Sequence, residues 1–257
     1  MTPQELFNAF TTLLAKEILR FLRIWIQTLL PSVITIALYF IIFGQLIGSQ
    51  LAAIKGYQYI DYIVPGMIML SIITNAYSNV VASFYSTKFQ KHIEEMLVSP
   101  MPNYVIIWGF IGGGIARSLI VGVVVTATAS LFTEVHFEAP LLLLTVALLT
   151  SILFSLAGLI NAVFANSFDD ISLVPTFVLT PLTYLGGIFY SIDMLPALWR
   201  NLSHLNPVLY MVDAFRASML GVSDMDIRLS LAIIISFVLV LYVVTDMLLR
   251  KGIGIRS

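Results

Sequence analysis

Cysteine is absent from this 257-residue chain, which excludes disulfides, thiolate metal sites and cysteine nucleophiles. Charge is scarce: Asp, Glu, Lys and Arg together make up 11% of residues, against about 25% in an ordinary soluble domain. The net charge of −1 leaves no basic stripe, so nucleic acid is not an expected partner. The three histidines, His92, His136 and His204, lie too far apart in sequence to form a zinc-type ligand pair. GxSxG, HExxH and a paired intramembrane Asp are missing, and with them the usual groups of intramembrane proteolysis. A Walker A motif is missing too, and no soluble stretch is long enough for a nucleotide domain. This chain cannot bind and hydrolyse ATP alone. What it has in abundance is apolar surface: 59% of residues are hydrophobic and the mean hydropathy is +0.98. Its 27 charged side chains cannot cover that much apolar surface in water, so the solvent must be largely lipid.

A helix needs roughly 20 apolar residues to cross about 30 Å of hydrocarbon. Six stretches meet that need: 24–48, 62–87, 104–131 (broken only by Arg117), 139–168, 171–192 and 229–246. The last is short, but Arg228 and Asp246 can snorkel at its ends. Segment 1–23 reads as something other than a signal peptide, because it has no A-x-A-like site and Arg20 and Arg23 directly precede the first long apolar run. Orientation follows from basic residues near the span ends. With the N-terminus inside, the cytoplasm receives Lys16, Arg20, Arg23, Lys88, Lys91, Arg250, Lys251 and Arg256, and the outside receives Lys55, Arg200, Arg216 and Arg228. Both termini are therefore expected in the cytoplasm.

Three segments are neither plain loop nor span. In 3–23 and onward to Trp25, Phe7, Phe10, Leu14, Ile18, Phe21 and Trp25 recur at steps of three and four, with Glu5, Thr12, Lys16, Arg20 and Arg23 opposite. That pattern predicts a helix lying in the cytoplasmic interface, either a plain anchor or a contact surface for a cytoplasmic partner. The inner loop KFQKHIEEMLVSPMP, residues 88–102, predicts a short helix over 88–98, stopped by Ser99-Pro100. So short a helix is marginal unless it packs, on the chain's own inner face or in the groove of a second protein. The outer stretch 193–226 is too polar to span and too apolar for a free loop. Asn206-Pro207 divides it into two short helices, with Asn206 as cap and Pro207 in the first turn of the second. The expectation is a re-entrant or interfacial hairpin acting as a lid.

Polar residues inside the spans form two stripes. Span two carries Ser71, Thr74, Asn75, Ser78, Asn79, Ser83 and Ser86, with Tyr77 and Phe84 nearby; span five carries Thr176, Thr180, Thr183 and Tyr184 between Pro175 and Pro181. Interhelical hydrogen bonding explains such stripes; a shared polar and aromatic cavity is the other reading. Arg117 is the only cation inside a span, and it needs a carboxylate or a helix C-terminus, with Asp169 or Asp170 as the candidate. Gly109-x-x-x-Gly113, with Gly112 and Gly114, permits close approach of a neighbouring helix.

With these segments in view, the chain resembles the permease subunits of type-2 ABC exporters, over nearly its whole length. The most specific likeness is in KFQKHIEEMLVSPMP and in PTFVLTPLTYLGGIFYSIDMLPALWRNLSHLNPVLYMVDAFR, residues 175–216. The resemblance implies an all-α polytopic membrane protein with six transmembrane helices, an N-terminal interfacial helix, a cytoplasmic coupling helix and an outer re-entrant helical hairpin. It implies coupling to the ATPase through the loop that holds Lys88, Lys91, Glu94, Glu95, Leu97, Ser99 and Pro100. Leu195-Pro196, Asn206-Pro207 and Arg216 match the outer hairpin. Asn75, Tyr77, Ser78, Asn79, Thr176, Thr180, Thr183 and Tyr184 are the candidate translocation pathway. The implied assembly is a homodimer with separate ATPase chains that carry the ATP-Mg, in the cytoplasmic (inner) membrane and among its lipids; this chain itself is not an enzyme and carries no cofactor. The implied activity is export of an amphipathic, lipidic or glycan-type substrate, to which Tyr77, Phe84, Tyr184 and Phe189 are suited. Two other classes remain. An ion-coupled secondary transporter needs a mid-membrane carboxylate, and a non-transporting scaffold or assembly protein needs no cavity.

Overall fold

The computed structural model describes residues 1–50 and 53–254, and these are helical almost throughout. Helix α1 (Pro3–Leu22) is followed by α2 (Trp25–Tyr39), which continues as a π-helical segment, Phe40–Ile47. Then come α3 (Tyr59–Phe89), the short α4 (His92–Val98), α5 (Asn103–Ala129) and α6 (Pro140–Phe164). A broken element follows: α7 (Asp170–Val174), a π-helical turn Pro175–Leu179, and α8 (Thr180–Tyr184). The chain ends in α9 (Ala197–Ser203), α10 (Pro207–Leu220) and α11 (Ile227–Lys251).

Helix α3 is the axis of the molecule, buried on all sides along most of its length. It runs antiparallel to α5, with Phe84 edge-on to Phe110 at 5.1 Å and Ile72 against Gly122. It runs parallel to α6, where Gly158 lies against the Tyr77 carbonyl. The bundle thus has two ends. At one, Lys88 donates to the carbonyls of Val163 (2.7 Å) and Ala165 (2.6 Å), closing the C-terminus of α6. At the other, the Tyr59 hydroxyl donates to Phe189 O and the Tyr57 hydroxyl to Leu220 O. Helices α2 and α11 are outermost and leave long apolar faces uncovered, among them Leu30, Ile34 and Leu38 on α2 and Phe237, Leu239 and Val240 on α11. Apolar faces of that length fit a lipid surround.

Among the described residues, five helices are long and apolar enough to cross a membrane: Trp25–Gly44, Tyr59–Phe89, Asn103–Ala129, Pro140–Phe164 and Ile227–Lys251. The expected span at 171–192 is not one of them. Its helical part is three five-residue pieces, about 22 Å of rise at 1.5 Å per residue. Pro175 and Pro181 cause this, since neither can donate to the turn before it. The Thr180 hydroxyl takes up the Pro175 carbonyl instead, at 2.9 Å. The broken element still reaches from one end of the bundle towards the other. Asn161 donates to Ile171 O near the Lys88 end, and Ile188 sits against Gly66, about two turns into α3 from Tyr59. A Cβ at Gly66 would lie 2.5 Å from the Ile188 carbonyl oxygen, so that approach needs glycine.

Helix α1 begins with Thr2 and Glu5 capping each other reciprocally. Its buried face overlaps the one periodicity selects at Leu14 and Phe21 and is turned from it elsewhere. Leu13, Glu17 and Phe21 are buried, whereas Phe7 and Trp25 stay exposed. The physical reason is the glycine stripe of α5: Leu13 fits on Gly109, Leu14 on Gly112 and Glu17 on Gly113. The helix packs lengthwise on α5 along this face and leaves Phe7, Leu19 and Leu22 exposed on the other.

The 193–226 region is a hairpin of unequal arms. Helix α9 is exposed at Leu198, Trp199 and Leu202, whereas α10 is buried from Val208 to Leu220. Its N-terminus starts inside the bundle beside Gly186, and its C-terminus reaches the Tyr59 end, where Gly221 adopts the left-handed conformation.

Candidate functional site

Between α2, α3 and the broken element α7–α8 lies a cavity of about 340 Å³. Helix α2 contributes Pro31, Ser32, Thr35, Ile36 and Tyr39. Helix α3 contributes Leu70, Ser71, Thr74, Asn75 and Ser78, and the broken element with its following turn contributes Leu179, Thr180, Thr183, Tyr184, Ile188 and Phe189. The wall is mixed: hydroxyls and one amide face aliphatic and aromatic surface. No carboxylate lines it. Asn75 donates to Ser71 O (3.0 Å) and to Ser32 Oγ (3.4 Å), tying α3 to α2 across the wall. Three aromatics meet around Phe189 towards the Tyr59 end: Phe43 stacks on it at 5.2 Å, with Tyr39 at 5.9 Å and Tyr184 at 6.3 Å.

The eight residues read from sequence as a pathway separate here. Asn75, Ser78, Thr180, Thr183 and Tyr184 line the cavity. Tyr77 is buried towards α6, Asn79 faces α1, where its side chain accepts from Arg20 at 2.9 Å, and Thr176 is exposed, its hydroxyl on Ser172 O. The contribution of α2 was not foreseen. Its signal was present, however: Thr28, Ser32, Thr35 and Tyr39 recur at 4,3,4 spacing.

At the Lys88 end, α4 is anchored by Ile93, which is fully buried, while Glu94 is partly exposed and Lys91, Glu95 and Pro100 are exposed. Lys91 occupies the left-handed region at φ 61° and makes the sharp turn from α3 into α4. The Ser99 hydroxyl donates to Met96 O at 2.6 Å and ends the helix. Lys88 differs from its neighbours, because its ammonium is occupied by the carbonyls at the end of α6. The side chain of Leu97 lies outside the described residues. Phe89 and Phe168, both exposed, pair at 5.3 Å beside this helix. The Asp170 carboxylate accepts from the backbone of Asn166 and Ser167; the Asn166 N–H, then the Ser167 hydroxyl, hold it below the usual carboxylate range.

In the α9–α10 hairpin, Pro196 precedes α9 and Pro207 occupies the first turn of α10. The Asn206 side chain caps α10 by accepting the Val208 N–H (3.0 Å) and donates to Leu182 O (2.6 Å), stitching the hairpin to the broken element. Arg216 is buried, its guanidinium 4.1 Å from the Tyr62 ring centre and bonded to Gly187 O at 2.6 Å. Asp213 accepts from Ser223, Asp224 and Met225 and holds the turn into α11. Lys55 pairs with Asp224; burial opposes its charge, but the hydrogen bond and charge of Asp224 outweigh that and raise the lysine above its ordinary value. Arg117 does not reach Asp169 or Asp170; its Nε donates to Asn75 Oδ1 at 3.2 Å. Among the described residues no three His, Asp or Glu side chains are grouped to hold a metal ion.

Residues 8–220 match the family model described as ABC-2 type transporter. The chain belongs to this family. Similar proteins include the inner membrane transport permease YadH of Escherichia coli (strain K12), 53% identical over 249 residues and covering 97% of each chain. Nodulation protein J of Rhizobium leguminosarum bv. viciae is 25% identical over 209 residues, 81% of each chain. Nodulation protein J of Rhizobium meliloti (strain 1021) is 22% identical over 81% of this chain and 80% of its own. The protein is thus an ABC-2 permease: a multi-pass inner-membrane transport subunit that carries no ATPase domain of its own and works with an ABC ATPase subunit.

Proposed function

We propose that the permease exports an amphipathic, lipidic or glycan-type compound through the cavity walled by α2, α3 and α7–α8. The observation that carries this reading is the wall itself, in which Ser32, Asn75, Ser78 and Thr183 supply hydrogen bonds while Tyr39, Tyr184 and Phe189 supply flat apolar surface. An amphiphile needs both, since a buried hydroxyl or amide without a partner costs free energy. The absence of a carboxylate from that wall disfavours ion coupling, which needs one near mid-membrane.

In this reading both termini are cytoplasmic, the Lys88 end faces the cytoplasm, and 171–192 is a sixth, broken crossing. ATP-Mg binds on the ATPase partner. Nucleotide-driven closure of that partner pushes on α4, through Lys91, Glu94, Glu95 and the Ser99-Pro100 stop, and the push travels along α3 to the cavity. A second permease copy closes the open side of the cavity beside the exposed Phe177 and Val178. Substrate enters from the cytoplasm or inner leaflet and leaves beneath the α9–α10 hairpin.

The test is charge reversal at Glu94 in permease reconstituted with its ATPase. Glu94→Lys is expected to abolish most nucleotide-driven transport while leaving the folded permease and the ATPase's own hydrolysis in place. Coupled transport equal to wild type would overturn the coupling assignment.

A further inference from the structure

A second polar site adjoins the cavity along α3, at the seam of α1, α3 and α5. Two guanidiniums converge there. Arg20 reaches in from α1 and donates through Nη2 to Asn79 O (3.0 Å) and Asn79 Oδ1 (2.9 Å). Arg117 reaches in from α5 and donates to Asn75, one turn earlier on α3. The glycine at 113 brings the helices this close: a Cβ there would lie 2.6 Å from Glu17 Cβ and 3.4 Å from Asn79 Nδ2.

The charges at this seam do not balance. Glu17, fully buried, is its carboxylate, and it is already engaged by the Ser83 hydroxyl (2.6 Å), Arg20 Nε (3.4 Å) and Lys16 Nζ (3.6 Å). Arg117 has a neutral amide as its hydrogen-bond partner and makes no ion pair among the described residues. With Lys16 half exposed to solvent, Arg20 and Arg117 against Glu17 leave a surplus of one positive charge. A surplus of that kind is costly at membrane depth unless a counter-charge or water meets it. Arg117 is partly exposed, and its two terminal nitrogens have no bond to protein among the described residues, so donors remain for a ligand.

The free terminal nitrogens of Arg117, held one turn of α3 from the residue that holds Arg20, match the oxygen geometry of a tetrahedral oxyanion better than that of any neutral group. We propose that Arg20 and Arg117 together hold the phosphoryl group of an amphiphile at the α1–α3–α5 seam. Because Arg117 and the cavity share Asn75, occupancy of the seam pulls directly on the cavity wall. The cavity link rests on the export reading; the oxyanion site does not. The phosphate belongs either to a bilayer phospholipid or to the transported compound, and the chemistry is the same in both.

The test uses the purified permease in detergent without its ATPase, titrated with phosphatidylglycerol, with dioleoylglycerol (no phosphate) and with inorganic phosphate, and followed by native mass spectrometry and thermal unfolding. Wild type is expected to bind phosphatidylglycerol saturably and in preference to dioleoylglycerol, with inorganic phosphate competing. Arg117→Gln is expected to weaken that binding by about tenfold or more, the scale of a lost charge-assisted hydrogen bond, with Arg117→Lys intermediate. Asn75→Asp keeps the arginine and the side-chain shape while supplying the missing carboxylate, and it is expected to cause the same loss. Equal binding of the two lipids by wild type, or unaltered phosphatidylglycerol binding by both Arg117→Gln and Asn75→Asp, would overturn the proposal. Neither result depends on transport, so its failure is distinguishable from failure of the export reading. In proteoliposomes with the ATPase, a lipid that stays bound through turnover assigns the site to the bilayer. Release in step with hydrolysis assigns it to cargo. Both outcomes uphold the oxyanion site.

Discussion

Glu17 has no solvent exposure, and its charge is held by Ser83 and Arg20 rather than by water. Removing a buried carboxylate strands its partners, and Arg20, about a third exposed at its side chain, recovers only part of its hydration. Glu17→Ala is therefore expected to destabilise the α1–α3–α5 seam by about 1–3 kcal/mol, read as a lower thermal-unfolding midpoint, whereas Ser83→Ala is expected to cost about 1 kcal/mol. A midpoint unchanged by Glu17→Ala would show that α1 does not rest on this group. At this scale the sequence displays charge without partnership. Arg117 stands out at once as a cation within a span, but its neighbour is Asn75, 42 positions away, and no local pattern pairs them. Lys88 likewise reads as one more surface cation of the inner loop until Val163 and Ala165 are seen to occupy it.

Among the elements, the broken α7–α8 stretch is placed by one close approach. Ile188 lies on Gly66, and that contact sets Phe189 among Tyr39, Phe43 and Tyr184. Any side chain at 66 must displace backbone rather than a flexible tip. Gly66→Val is expected to push the 186–189 turn away from α3, open the aromatic cluster and lower transport strongly, with α-helical content by circular dichroism little changed. Wild-type transport by Gly66→Val would exclude Phe189 and its neighbours from the route. Helix boundaries were largely legible, because charge, proline and capping residues are local signals. Ser99-Pro100 stops α4 at Val98, and Asn206-Pro207 starts α10. The inner face of α1 was legible only at Leu14 and Phe21. Its aromatic stripe fits lipid well, but the opposing glycines of α5 accept Leu13 and Glu17 more closely, and close packing outweighs a broad apolar stripe.

For the whole molecule, orientation in the membrane is the open physical quantity, and the absence of cysteine makes it measurable. A single cysteine at an exposed loop position is the only thiol in the chain. Glu134→Cys, between α5 and α6 at the Tyr59 end, is expected to react with a membrane-impermeant maleimide in intact cells. Asn166→Cys, beside Lys88 at the other end, is expected to react only after permeabilisation. The reverse pattern would invert the topology. The sequence by itself determined that the solvent is lipid, that the chain is helical and crosses the membrane several times, that ATP must be hydrolysed elsewhere, and which family resemblance to test, since composition, hydropathy and capping are properties of short segments. Tertiary structure decided which stripes face one another. It joined α2 to the cavity wall, turned Tyr77 and Asn79 away from it, reduced the fifth stretch to a broken helix, and set two arginines on neighbouring turns of α3. Each of these depends on contacts between residues distant in sequence, which close packing at glycine and the sharing of scarce polar partners select only once the helices have met.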